Sequence, residues 1–473
     1  PVDSRRSLPS VASWSTWPRF ANESLLPYRS MPPTLLASFV ARASSSGDAA
    51  ALAELGREGL SSTSYASLCA TVRGAAAALQ AAGIVSGEAV VDFCDEGRAM
   101  VVAMLAITMA GAAMVPLDPA APPARLSALV ADCGAALALC TRARLASLAS
   151  ALDGGRCQPL ALEDVLVRDA SLPAAPAPPP PGALCHHIYT SGSTGLPKAV
   201  SVTHGALASY GREKARTQRV GGASRVLVAS AHTWDPAVGD VLSTLAVGGC
   251  VCVAPRAHLV NDLGHAIAAT RATHLLATPS LLSLLDTPPA SLPTLATLAV
   301  GGELCPLPLL APFAAVGVEV INVYGVTEAA VYQTYATLSH LPPDPDGTPY
   351  YLRGRAAAAA GGVAFAPAGI PFRGVELALA PPPARAAEGG EDGLGSDDRR
   401  ELLIGGDQLA VGYLNRPRLT AEKFVWLPDA AVERLPRSYG RAAPPHCGGC
   451  GGRGARAGRG GGEEGGDAGG EAG

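Results

Sequence analysis

Apolar positions follow two alternating rhythms through most of the chain. Ser67–Ala82, Arg98–Met109 and Pro123–Asp132 read as helices, and short β-type runs at Glu88–Phe93 and Ala113–Leu117 separate them. A second series places strands at Arg225–Ser230, Cys250–Ala254, His274–Ala277, Thr297–Val300 and Glu319–Val323. Strand and helix alternating at this interval predict parallel sheets covered by helices. Ala99–Leu117 carries no charge for nineteen residues, the length of a membrane span. Its Ala, Met and Gly content, and its end in Val115-Pro116-Leu117-Asp118, predict instead a buried helix that turns at Gly111 into a strand.

The pattern divides the chain. Residues 1–30 give no periodic signal and read as a loose leader. Residues 31–173 form a first α/β subdomain, 174–182 an Ala/Pro linker, and 183–340 a second α/β subdomain. Residues 341–436 are irregular and β-rich, with β elements expected in Gly374–Ala380 and order returning at Glu401–Leu414. After Leu435 there is no Leu, Ile, Val, Met, Phe or Trp, and the last 34 residues hold 15 glycines, so 437–473 is expected to be a disordered tail.

Composition sharpens this only in places. At 473 residues with 48% hydrophobic and 16% charged positions, the chain can bury more than one core. A net charge of −4 and a pI near 6.2 lack the basic footprint of a nucleic-acid binder. The eleven cysteines show no regular pairing, which suits a reducing compartment, and with no signal-like opening the cytoplasm is expected.

The segment richest in chemistry runs from Tyr189 to Lys198, reading Tyr-Thr-Ser-Gly-Ser-Thr-Gly-Leu-Pro-Lys. Its small residues free backbone N–H groups to approach an anion; Ser191, Ser193 and Thr194 add hydroxyls and Lys198 a charge. It is neither a Walker loop nor a Gly-x-Ser-x-Gly elbow. A Ser/Gly surface turn is the plainer alternative.

This loop resembles the signature loop of adenylate-forming (AMP-binding) enzymes, especially the amino-acid adenylation domains of nonribosomal peptide synthetases. Further segments resemble the family's motifs in family order: Tyr65-Ala-Ser-Leu68, Ala106–Arg125, His232-Thr-Trp-Asp235, Asn322-Val-Tyr-Gly-Val-Thr-Glu328, Glu401–Gly405 and Gly412–Phe424. The resemblance covers roughly residues 34 to 427. It implies the large N-terminal subdomain of such an enzyme, with two α/β parts carrying mixed sheets and a small β-rich part.

The implied reaction joins a carboxylate to the α-phosphorus of ATP, giving an acyl-adenylate and pyrophosphate, for transfer to the phosphopantetheine thiol of a carrier domain. Two anions must meet, so positioning and charge neutralisation carry the catalysis. By resemblance, Thr190, Ser191, Gly192, Ser193, Thr194, Gly195 and Lys198 would hold phosphates. Tyr324 and Gly325 would face adenine, Gly302 would let the backbone approach the nucleotide, Thr327 would meet the α-phosphate, and Glu328 would bind Mg²⁺. Out of that context Tyr324 reads as a packed aromatic and Glu328 as a solvated carboxylate.

Asp235 carries the substrate argument. In the amino-acid-activating branch the matching Asp binds the substrate α-ammonium, and an Asp in an apolar pocket needs such a cation. The alternative is a helix cap before Pro236. The other implied pocket walls are Trp234, Pro236, Gly239, Leu276, Ala299, Gly301, Val323, Val331 and Tyr332, small and apolar with one phenol, which favours an uncharged side chain. Val220–Ser224, His186-His187 and Cys447/Cys450 are decoys, short of the partners a carrier, condensation or zinc motif requires.

Beyond Phe424 the family pattern continues to Tyr-x-Thr-Gly-Asp, whose Asp binds ribose, and later to a catalytic lysine. Here the sequence reads Arg437-Ser-Tyr-Gly-Arg441, so the expectation is a C-terminally incomplete member with weak ATP binding. An acyl-CoA-ligase-like or carboxylate-reductase module, and a non-catalytic nucleotide-binding remnant, remain alternatives.

Overall fold

The structure, a computed structural model, describes residues 31–152, 154–166, 176–191, 197–340, 365–380, 401–425 and 433–434. The expected leader, the glycine-rich tail with its Cys447/Cys450 pair, and loop residues Gly192, Ser193, Thr194 and Gly195 lie outside them.

Three sheets organise the described residues. The largest has nine strands in the order Ile370–Pro371, Thr334–Thr337, Glu319–Tyr324, Thr297–Gly301, His274–Ala277, Arg225–Val228, Cys250–Val253, Ala50–Gly56 and Gly59–Ser64. Its middle six strands run parallel, and antiparallel strands finish both edges. The second has seven, ordered Gly412–Tyr413, Lys198–Thr203, Leu184–Thr190, Ala113–Pro116, Ala89–Phe93, Leu137–Cys140 and Gln158–Ala161. A small antiparallel sheet joins Glu401–Gly406, Val375–Ala380 and Glu433–Arg434. The fold is α/β, as the sequence pattern predicts, and its sheets are mixed, as the resemblance implies, where the pattern alone predicts parallel ones.

Sheet membership crosses the division expected at the Ala/Pro stretch. The hairpin Ala50–Ser64 joins the large sheet beside Cys250–Val253, and Leu184–Thr203 joins the second sheet beside Ala113–Pro116. The two parts are therefore interleaved, and Tyr65 ties them: its buried hydroxyl donates to the Gly249 and Leu245 carbonyls at 2.7 and 3.1 Å.

Most expected elements appear within a residue or two. The uncharged stretch is the buried helix Arg98–Met109, a turn at Gly111 (φ +89°), and the strand Ala113–Pro116. The helix expected from Ser67 starts at Tyr65 because the Ser64 side chain caps it, accepting from the Ser67 N–H. Alternate residues of the parallel strands feed different cores. Leu276, Ala299, Ile321 and Val323 pack into one cluster, while Leu275, Ala277, Leu298 and Val300 pack into another. The first face bears the site, because Leu276 pairs with Ala299, and Gly301 with Val323, across adjacent strands. The carboxyl ends of Glu319–Tyr324 and of Leu184–Thr190 come together where Lys198 bonds Glu328, and strand carboxyl ends are where ligands bind in open α/β sheets.

Candidate active site

Two corners near these strand ends hold charge. In the first, the Lys198 ammonium donates to Glu328 Oε1 at 2.7 Å and to the Tyr413 hydroxyl at 2.8 Å. That hydroxyl donates to the same Glu328 oxygen at 2.7 Å. Lys198 begins the strand Lys198–Thr203; Glu328 lies in the 3-10 turn Thr327–Ala329, whose end is fixed where the Glu328 carbonyl accepts from the Ala410 N–H. Partial burial pushes the Glu328 carboxyl up, but the bonds from Lys198 and Tyr413 outweigh it and hold the group below its usual value. Burial likewise pulls Lys198 down, and the same bonds raise it above its usual value. Thr190, at the end of the neighbouring strand, donates weakly to the Lys198 carbonyl at 3.4 Å, and Ser191 is exposed beside it.

The second corner is Asp235, first residue of the helix Asp235–Ala246, with Pro236 behind it. The residue is only 6% exposed. It accepts the Val331 N–H at 3.1 Å, and the nearby Thr327 hydroxyl favours its charged form. Among the described residues no cation pairs with it. Burial therefore wins, and the carboxyl rises from the usual 3.8 to about 6.

The N–H that reaches Asp235 comes from a strained turn. Ala330 (φ +56°) and Val331 (φ +73°) both have left-handed backbone, costly for a β-branched residue. Gln333 holds the turn: its side-chain oxygen accepts from the Val326 N–H at 2.8 Å, and its amide donates to the Ala329 carbonyl at 2.7 Å.

The expected pocket walls are largely brought together. Leu276, Ala299, Gly301, Val323, Val331 and Tyr332 are buried, and all but Gly301 belong to one apolar cluster. A Cβ at Gly301 would meet Val323 at 2.6 Å and the Tyr332 ring at 3.0 Å, so only glycine fits there. A Cβ at Gly239 would meet the Tyr210 ring at 2.6 Å. Gly325 packs against Val331 and Tyr332, and Gly302 is exposed near the Tyr332 hydroxyl. Two aromatics face outward: Tyr324 is 38% exposed, and Trp234 is 55% exposed beside Asp235.

Comparison with known proteins decides the family. A family model described as AMP-binding enzyme matches residues 39–414. The chain belongs to the AMP-binding enzyme family. It is 32% identical over 356 residues to nonribosomal peptide synthetase 8 of Aspergillus fumigatus, covering 74% of this chain and 4% of that one. It is 34% identical over 336 residues to phosphinothricin tripeptide synthetase PhsC of Streptomyces viridochromogenes, covering 70% and 27%. A crystal structure of the nonribosomal peptide synthetase FmoA3 with AMPPNP aligns at TM-score 0.69 and 26% identity, over 85% of this chain and 40% of that one. The N-terminal subdomain of Klebsiella oxytoca NpsA shares the fold at TM-score 0.68 and 20% identity, over 85% and 95%. The chain thus spans only a small part of the curated synthetases it resembles.

For an AMP-binding enzyme the donor set at the first corner fits the nucleotide. An exposed tyrosine ring, a threonine hydroxyl, a lysine and a carboxylate are the groups that adenine, phosphate and a hard cation require. Among the described residues no group of three or more His, Cys, Asp or Glu could hold a metal. A single carboxylate suits Mg²⁺, which keeps waters and phosphate oxygens as its other ligands.

Sequence reasoning passed over three residues. Tyr413 stood inside the Gly412–Phe424 motif, yet nothing local signalled that its hydroxyl meets Lys198, 215 residues away. Gln333 and Tyr210 lie outside the quoted motifs, and only the folded contacts reveal them.

Proposed function

We propose that this AMP-binding enzyme activates an amino acid as its acyl-adenylate, releasing pyrophosphate, for transfer to a carrier-domain thiol. The observation that carries the reading is Asp235: a buried carboxylate at the start of its helix, held by the Val331 N–H but, among the described residues, given no cation. A substrate α-ammonium supplies the missing charge. The carboxylate of the same substrate would lie toward Thr327, between Asp235 and Glu328.

Thr190, Ser191 and Lys198 would hold phosphate oxygens, Tyr324 would stack on adenine, and Glu328 would hold Mg²⁺. ATP with Mg²⁺ supplies the electrophilic phosphorus and the neutralising charge. The chain's own groups bind and orient, and the strained Ala330–Val331 turn holds the Asp235 carboxylate in place before substrate arrives. The relatives are named as peptide synthetases, and one structural neighbour is an artificially fused adenylation–PCP didomain, which supports the carrier partner. Among the described residues no helix is long and apolar enough to cross a membrane. The nine described cysteines are free and buried, in keeping with a reducing, cytoplasmic setting.

The test compares an amino acid with its des-amino analogue, bound to the wild-type chain and to Asp235→Ala. Loss of the charge-assisted contact, about 1.5–3 kcal/mol, weakens the amino acid roughly 10- to 150-fold and the analogue little. Equal losses for both ligands, or none for either, would promote the acyl-ligase reading.

A further inference from the structure

The two groups expected to serve phosphate and metal are bonded to each other. Glu328 Oε1 accepts from both the Lys198 ammonium and the Tyr413 hydroxyl, and Lys198 donates to both. A divalent cation at that carboxylate oxygen meets the lysine charge, and a phosphate that recruits Lys198 leaves Glu328 facing it unpaired. Each ligand alone is opposed; both together let each group exchange its partner for a better one.

Tyr413 is the common member. Its hydroxyl closes the triangle, and the Lys198 ammonium also lies 4.3 Å from the centroid of its ring. The ring is nearly buried and held by features independent of the triangle. The strand Gly412–Tyr413 pairs with Ser201 and Val200, the Tyr413 N–H donates to Thr420 Oγ1 at 2.9 Å, and Phe424 packs edge-on at 5.6 Å. Lys198 and Glu328 are about one-fifth and one-quarter exposed, so the ion pair can open while Tyr413 stays in place.

We propose that Tyr413 is a positioning residue that parks Lys198 on Glu328 until nucleotide and divalent cation arrive together. The inference rests on the nucleotide and metal roles given to these two residues above. It predicts positive coupling between the two ligands, set in part by one hydroxyl.

Tyr413→Phe keeps the ring and removes that hydroxyl. The first measurement uses Mn²⁺ alone, followed by the spectrum of the free ion on the full chain without nucleotide. Tyr413→Phe is expected to bind Mn²⁺ at least threefold more tightly than wild type, and Tyr413→Phe/Glu328→Gln to lose that gain. Unchanged Mn²⁺ affinity, or a gain that survives Glu328→Gln, overturns the proposal. Lys198→Gln, which removes the competing charge, is the second route should Tyr413→Phe not fold, and it carries the same expectations.

The second measurement is the affinity of a fluorescent ATP analogue with excess Mg²⁺ and with EDTA. The ratio of the two affinities should fall at least threefold in Tyr413→Phe. An equal change under both conditions marks Tyr413 as merely structural and also overturns the proposal. A wild-type chain that binds no ATP analogue in either condition defeats the reading under Proposed function, while the Mn²⁺ measurement still decides the parking role.

Discussion

The helix Asp235–Ala246 carries two buried carboxylates that the protein treats in opposite ways. Asp240, fully buried, bonds to the ammonium of Lys214 from the neighbouring helix His204–Thr217, itself fully buried. Asp235, one turn and a half earlier at the start of the helix, receives an N–H but no cation among the described residues. Burial pushes both carboxyls up; only Asp240 has a cation pulling it back. A charge neutralised inside the fold is part of the framework, whereas a charge left unbalanced at a crevice waits for something that brings its counterion. The Lys198–Glu328 pair is intermediate, balanced now but between groups that water reaches.

The largest effect follows from breaking the internal pair. Lys214→Met leaves Asp240 buried without a cation, and its second oxygen already lacks a partner. Removing one member of a buried pair costs about 3–5 kcal/mol, and the orphaned carboxylate takes up a proton instead of staying charged. The midpoint of denaturant unfolding should fall accordingly, and Lys214→Met/Asp240→Asn should recover part of it. A loss below about 1 kcal/mol would mean the pair is not a framework charge, and the contrast with Asp235 would lose its meaning.

This contrast also marks where sequence reading ended. The strands from Arg225 to Tyr324 were legible because fully buried parallel strands are short apolar runs between helices. Asp235, Thr327 and Glu328 stood out because each sits in a segment resembling a family motif. What could not be read was every feature created by distance in sequence: the swap of hairpin and strand pair between sheets, the Lys214–Asp240 bond, and the Tyr210 ring filling the space left at Gly239. The left-handed Ala330–Val331 turn was illegible for another reason. Alanine and valine are poor markers of positive φ, and Gln333, which holds the turn, acts through a side chain that leaves no local pattern.

A smaller effect comes from titrating the unbalanced carboxylate. The Asp235 carboxyl titrates near 6 in the folded chain and near 3.8 when unfolded, so between those values the folded state holds a proton that the unfolded state has released. Stability must then fall as pH rises through that window, by at most about 3 kcal/mol. Glu328 on the facing turn adds to the unfavourable field, while Tyr210 and Tyr332 beside it stay neutral at these pH values; none of them brings a positive charge. Asp235→Asn should lack this fall, so its stability relative to wild type should improve from pH 4 to pH 6 and then level off. Amino-acid affinity should show the reverse, weakening up to tenfold for each pH unit below 6 as the carboxylate is lost. A pH-independent difference between the two proteins would show that Asp235 is solvated, and the reading of it as a waiting charge would fail.

The smallest effect is expected at Trp234, which adjoins Asp235 in sequence but not in environment. An indole dominates many binding sites because it removes a large apolar area from water, and it does so only when covered. Here 55% of Trp234 faces solvent, while the next residue is nearly sealed, so the chain passes from surface to interior within one peptide unit. The buried remainder is a fraction of a side chain whose full burial is worth about 1.5–3 kcal/mol, and Trp234→Ala should cost below about 1 kcal/mol in stability. Amino-acid affinity should change less than about threefold, against the 10- to 150-fold expected for Asp235→Ala. Both variants can be compared in one calorimetric titration series with the same ligand. A loss above about tenfold for Trp234→Ala would mean that the indole folds over the bound ligand, for only then does it gain the burial that could hold so much affinity. In that case the crevice closes on binding, and Asp235 is sealed by the substrate's arrival as well as neutralised by it.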